Sequence, residues 1–134
     1  MPSQNELGGY LLGMYERSIR KALGDPSTTD SVSGHRALIY YVTPDKETFF
    51  VFAVTEEEEG VVSSIQLTGK PRADLPTFQG VSLGDSRATV EAKFGESDEA
   101  GGKASTPGDP VKYKNRNYSF VYGSDGKLSS IKIF

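Results

Sequence analysis

GVSLGDSRATVEAKFG (residues 80–95) repeats in kind an earlier stretch of the same chain, GYLLGMYERSIRKALG (residues 9–24). With the two set 71 residues apart, Gly9 meets Gly80, Leu12 meets Leu83, Gly13 meets Gly84, Ile19 meets Val90, Leu23 meets Phe94 and Gly24 meets Gly95. Both copies read as an apolar segment that ends at a glycine turn, opens a short helix and stops at a second glycine. Asp85 or Ser86 suits the helix start, where a side-chain oxygen accepts free backbone N–H groups. Val90 and Phe94 are four residues apart and share one helix face; Tyr15, Ile19, Ala22 and Leu23 make a similar stripe. Gly24 and Gly95 stand where a helix end favours a left-handed residue, and Pro26 follows the first.

The echo continues at a second offset. VVSSIQL (61–67) matches KLSSIKI (127–133), now 66 residues on. Before each lies another strand pattern: ETFFVFAV (47–54) ahead of an acidic turn, and NYSFVY (117–122) ahead of Gly-Ser-Asp-Gly, a hairpin signal through Asp125-Gly126. Further upstream are ALIYYV (37–42) and VKYKN (111–115). The expected fold is α+β: two tandem α-β-β-β(-β) repeats, 1–70 and 80–134, joined by a linker at 71–79, with helices on one face of antiparallel sheet. Units of about 60 residues bury only a modest core, so the two halves are expected to form one compact unit. The two post-helix stretches, 25–36 and 96–110, read as long mobile loops from their Gly, Pro, Ser and Thr content.

Composition sets limits on function. Apolar residues are 36% of the 134-residue chain and charged residues 25%, as in a soluble globular protein. Fifteen Lys and Arg against eighteen Asp and Glu give a net charge of −3. That balance argues against general nucleic-acid binding. No apolar run is long enough for a membrane span. Residues 1–6 are polar and do not form an export signal. The protein is therefore expected either to be cytoplasmic or to be periplasmic, secreted or lipid-anchored after loss of such a signal. With no cysteine, disulfides, thiol nucleophiles and thiolate metal sites are excluded.

Other chemistry finds little footing. The lone His35 lacks a G-x-S-x-G nucleophile or a second histidine, and reads as a loop or strand-edge residue. Glu56 to Glu59 are consecutive, unlike the interleaved carboxylates of a calcium loop, and read as a solvated hairpin tip. Gly80-x-x-x-Gly84 precedes a helix but has no following Gly-Lys-Ser/Thr, and Asp85 would repel a phosphate. No catalytic residue, cofactor or metal is expected.

The helix-opening segment resembles that of the β-lactamase-inhibitor-protein-like fold, which includes small outer-membrane assembly lipoproteins of the SmpA/OmlA type. Gly80, Leu83, Gly84, Ser86, Val90, Phe94 and Gly95 carry the resemblance. The tandem arrangement is similar to the inhibitor proteins in particular, although these carry a disulfide in each unit and this chain has no cysteine. The resemblance implies a non-catalytic module that binds another protein.

The aromatic residues suggest where. In a strand alternate residues face opposite sides. Phe50, Phe52 and Val54, with Tyr118, Phe120 and Tyr122, are assigned to the helix-covered core beside Ile65, Leu67, Ile131 and Ile133. The other face then carries Phe49, Val51 and Ala53, with Tyr40 or Tyr41, next to a polar and basic half with Lys112, Lys114, Arg116, Ser119 and Lys132. Tyr41, Phe49, Lys112, Lys114 and Lys132 are the candidate protein-binding residues. The alternative is a small-ligand carrier or minor enzyme with a pocket between sheet and loops.

Overall fold

A computed structural model describes residues 6–7, 10–32, 35–42, 47–55, 60–70, 78, 80–94, 110–112, 118–123 and 125–134. In chain order these form β1 (Glu6–Leu7), β2 (Tyr10–Leu11), α1 (Glu16–Leu23), β3 (Thr28–Val32), β4 (His35–Tyr41), β5 (Thr48–Val54) and β6 (Val62–Gly69). Then follow α2 (Arg87–Phe94), β7 (Pro110–Lys112), β8 (Tyr118–Tyr122) and β9 (Leu128–Ile133). The β1–β2 hairpin stands apart; the other seven strands form one antiparallel sheet in the order β3-β4-β5-β6-β9-β8-β7. The molecule is thus a mixed α and β protein with two described helices and open, antiparallel sheet.

Alternation produces these strands. Along β5, Thr48, Phe50, Phe52 and Val54 are buried while Phe49, Val51 and Ala53 are half-buried. The inward side chains meet Ile65 and Leu67 of β6 and Leu38 and Tyr40 of β4 in one core. Phe120, Tyr118 and Tyr122 continue it on β8, Ile131 and Ile133 on β9. Ile19 of α1 and Val90 of α2 are fully buried in the same core, so both helices cover the same sheet face. Tyr10 meets Phe50 and Phe52 edge-on at 5.8 and 5.3 Å, and Phe94 packs 5.2 Å from both Tyr118 and Phe120.

Helix ends obey local chemistry. Ser86 caps α2: its Oγ accepts the Thr89 N–H at 3.2 Å, while Asp85 instead accepts the Ser82 N–H. Gly24 closes α1 with φ +80°, its N–H donating to the Arg20 carbonyl at 2.7 Å.

The same backbone hydrogen bonds occur twice. Gly13 N–H donates to Val62 O at 2.9 Å, Val62 N–H to Met14 O at 2.8 Å, and Glu16 N–H to Gly60 O at 2.8 Å. Gly84 N–H donates to Leu128 O, Leu128 N–H to Asp85 O, and Arg87 N–H to Gly126 O, at 2.8, 2.8 and 3.2 Å. The Leu7–Tyr10 pairing likewise has a counterpart in Phe78–Val81. The β5–β6 and β8–β9 hairpins have a register shift at the same point, before Val54 in β5 and before Tyr122 in β8.

Two segments differ from expectation. The stretch 25–36 is not one long loop: Thr28–Val32 pairs along its whole length with β4, from Thr28 opposite Ile39 to Val32 opposite His35. Threonine and valine favour strands, and β4 offers an edge to pair with. Phe78 falls in the span expected to link the halves, yet it is buried and stacks on Phe94 at 5.8 Å. Glu56–Glu59 and residues 96–109 lie outside the described residues.

Candidate functional site

The sheet face away from the helices brings together most of the residues singled out by the alternation. Its central row crosses all seven strands: Thr28, Ile39, Val51, Gln66, Lys132, Ser119 and Lys112. The neighbouring row runs Tyr41, Phe49, Thr68, Ser130, Val121 and Pro110. Of the candidate pair at position 40 or 41, it is Tyr41 that belongs here. Tyr40 points into the core, where its hydroxyl donates to the Gly24 carbonyl at 2.9 Å. The Tyr41 and Phe49 rings meet edge-on at 5.8 Å. Tyr41 is 36% exposed, the following Val42 is 41% exposed, and Phe49, Val51 and Ile39 are half-buried.

The face changes character across the strands. β4 and β5 supply Ile39, Tyr41, Phe49 and Val51. β6 supplies Ser64, Gln66 and Thr68, and Gln66 donates to Ser130 Oγ at 2.8 Å, tying β6 to β9. Beyond them stand Lys132 and Ser119, with Lys112 next in register. The five inner strands carry no Asp or Glu; Asp30 stands on this face at the β3 edge, in line with Ala37, Ala53 and Ser64. The Lys132 ammonium lies 6.0 Å from the Phe134 ring centroid. The register thus places Tyr41 beside Phe49, and Lys132 and Lys112 on either side of Ser119, some strands away from the aromatic pair. Lys114 and Arg116 lie outside the described residues.

On the helix side is an ionic cluster that the alternation did not single out. The Glu16 carboxylate accepts from Arg36, through Nη1 at 3.2 Å and through Nη2, and from Arg20 Nε at 2.8 Å. Arg20 also meets Asp25 at 3.0 Å. Burial pushes the Glu16 carboxyl up, but the hydrogen bonds and positive charge of Arg36 and Arg20 outweigh it, and its pKa falls below the ordinary 4.5. Arg20 is pushed up, chiefly by its hydrogen bond to Glu16. The i, i+4 spacing of Glu16 and Arg20 was visible in the sequence; the approach of Arg36 from β4 was not. At the equivalent place on α2 the charges are exchanged: Arg87 Nε donates to Glu91 at 2.9 Å, and its guanidinium lies 5.2 Å from the Tyr122 ring centroid.

An open cleft of about 300 Å³ lies where β6 ends beside the β8–β9 hairpin, lined by Gly69, Lys70, Gly84, Asp125, Lys127 and Leu128 among others. Lys70 pairs with Glu47 at 2.8 Å at its rim. Among the described residues no three His, Asp or Glu side chains gather as metal ligands, and no helix is long and apolar enough to cross a membrane.

No protein-family profile and no curated protein matches the chain. Solved structures do. An extracellular protein containing a SCP domain from Bacillus anthracis is similar over 98% of this chain and 46% of its own, with TM-score 0.57 and 12% identity. A cysteine-rich secretory protein from Staphylococcus aureus is similar over 99% of this chain and 47% of its own, with TM-score 0.62 and 16% identity. A DUF4309 family protein (YjgB) from Bacillus subtilis is similar over 99% of this chain and 85% of its own, also at TM-score 0.62 and 16% identity. The chain therefore spans about half the length of the first two. These neighbours correct the resemblance to the β-lactamase-inhibitor-protein-like fold and to the small outer-membrane lipoproteins: the fold is that of the secreted-protein and DUF4309 structures. A glycine-bounded helix start is short and recurs wherever a turn must open a helix onto a sheet, so those seven residues specified a local structure and not a family.

Proposed function

We propose that this chain is a non-catalytic, exported protein-binding module that engages its partner through the open sheet face. The observation that carries the reading is the unequal treatment of the two faces. One is sealed by α1, α2 and the β1–β2 hairpin. The other offers the edge-on Tyr41–Phe49 pair beside Val51 and Ile39, flanked by Lys132. Exposed aromatics beside aliphatic side chains are the usual anchors of protein interfaces. Export is supported by neighbours described as extracellular and secretory.

We further propose that the chain is two copies of one unit. The paired hydrogen bonds around Gly13 and Gly84 support this, with helix positions 71 residues apart and strand positions 66 apart. The cleft beside Lys127 favours a second reading, a small-ligand carrier. Its volume of about 300 Å³ lies at the lower end of the ligand-pocket range.

The test is capture from soluble and membrane fractions of the source organism with the wild-type protein and a folded Tyr41→Ala/Phe49→Ala variant side by side. A protein retained by the first and lost by the second supports the binding module. Retention that ignores the double variant, or no specific protein in either fraction, overturns it in favour of the cleft.

A further inference from the structure

Resting on the protein-binding reading, we infer that the occupant of the open face is an amphipathic helix of another polypeptide. Its apolar stripe lies on β4 and β5, and it carries a carboxylate about two turns along, over Lys132. The charge pattern specifies the acid. The five inner strands carry no Asp or Glu, Lys132 stands on β9, and the described acid of this face, Asp30, lies on the β3 edge in line with Ala37, Ala53 and Ser64, away from Lys132. Lys132 makes no ion pair among the described residues, and register places Lys112 in the same row two strands beyond it. An acidic partner is attracted to that half of the face and a basic one repelled.

The strand order specifies the spacing. Val51 and Lys132 lie in one row with Gln66 between them, so two strand spacings, about 10 Å, separate the apolar anchor from the cation. A helix laid across the strands advances about 1.5 Å per residue, so positions i and i+7 stand about 10 Å apart on one side. An extended segment covers that distance in about three residues, but these point to opposite sides.

The probe is a phage-displayed library of random 18-residue peptides, panned on the wild-type protein and depleted on Val51→Lys, with Phe49→Ser as the depleting variant should Val51→Lys not fold. Enriched peptides are expected to carry apolar residues at three- and four-residue spacing with Asp or Glu about seven residues from an anchor. They should bind Lys132→Glu at least about tenfold more weakly than wild type, and exchanging that acid for Lys should restore binding to Lys132→Glu. Face-dependent peptides with no excess of acid, or with no response to Lys132→Glu, overturn this inference and leave the binding module standing. If no peptide depends on Val51 or Phe49, both fall. Val51-dependent sedimentation with vesicles of three parts phosphatidylcholine to one part phosphatidylglycerol overturns the helix in favour of a membrane surface.

Discussion

Glu16 and Arg36 meet as a two-pronged ion pair although twenty residues of chain and the whole of β3 separate them. The pair joins the first turn of α1 to the start of β4, with Arg20 closing it from the same helix. Glu16 has a lowered pKa, so it holds fewer protons folded than unfolded at acid pH. Its contribution is fully present above the ordinary value of 4.5 and is lost as pH falls through the lowered folded value. Urea unfolding of the wild type should therefore weaken across that acid window. Glu16→Gln should be about 1 kcal/mol less stable at neutral pH and lose part of this pH dependence. The figure is kept to the surface-pair range because the Arg36 side chain is 41% exposed.

Glycines 13 and 69 separate strain from overlap. Gly13 has φ +89° and open space where a Cβ would stand, so Gly13→Ala should cost about 1 kcal/mol through backbone conformation alone. At Gly69, φ is +130° and the added carbon would overlap the Glu47 carbonyl oxygen and press on Thr48. Gly69→Ala should cost more than about 2 kcal/mol and disturb the β5–β6 end. Thermal melts of both variants check the order, and equal effects would contradict it.

Ile65 and Ile133 are opposite one another where β6 meets β9, and both are fully buried. Either residue changed to Ala should cost about 2–5 kcal/mol, and the double variant should depart from additivity because the two share one cavity. Denaturant titrations of the three variants measure this. Strict additivity would mean that the two side chains do not share that space.

Tyr40 is buried and its hydroxyl donates to the last-turn boundary of α1 at Gly24. Tyr40→Phe should cost about 1 kcal/mol by leaving that carbonyl without its donor. Burial is the main cause of a phenol pKa above the ordinary 10.0, only partly offset by the charge of Arg20. In an ultraviolet titration, the late-ionising absorbance of the native protein should fall by one tyrosine's share in Tyr40→Phe. Stability from the neutral phenol is present below 10.0 and lost as pH rises through the raised folded value.

Much of the sheet was legible because its determinants are local. The alternation in Phe49 to Val54 named β5 and sorted its two faces correctly, and the Asp125-Gly126 turn marked the hairpin between β8 and β9. The placement of Tyr41 rather than Tyr40 on the open face needed the register of β4 against β5, which a one-residue slip would have reversed. The β3 strand was hidden because Thr-Thr-Asp-Ser-Val has the polarity of a loop and becomes a strand only when β4 provides a partner. Phe78 was hidden because a single aromatic between prolines and glycine carries no periodicity. The Arg36 contact was invisible because nothing near position 36 refers to position 16.

By itself the sequence determined the helices, six of the seven strands of the main sheet, and which of their side chains seek the core. Those are settled by turn chemistry, capping and burial within a few residues of chain. Tertiary structure decided that β6 and β9 meet at the centre, that β3 extends one edge, and that the Tyr41–Phe49 pair and Lys132 lie on the same side of the sheet. The joining of β6 to β9 depends on pairing between segments some 65 residues apart, where the free energy of closing the chain competes with burial across the whole sheet and no local pattern records the outcome.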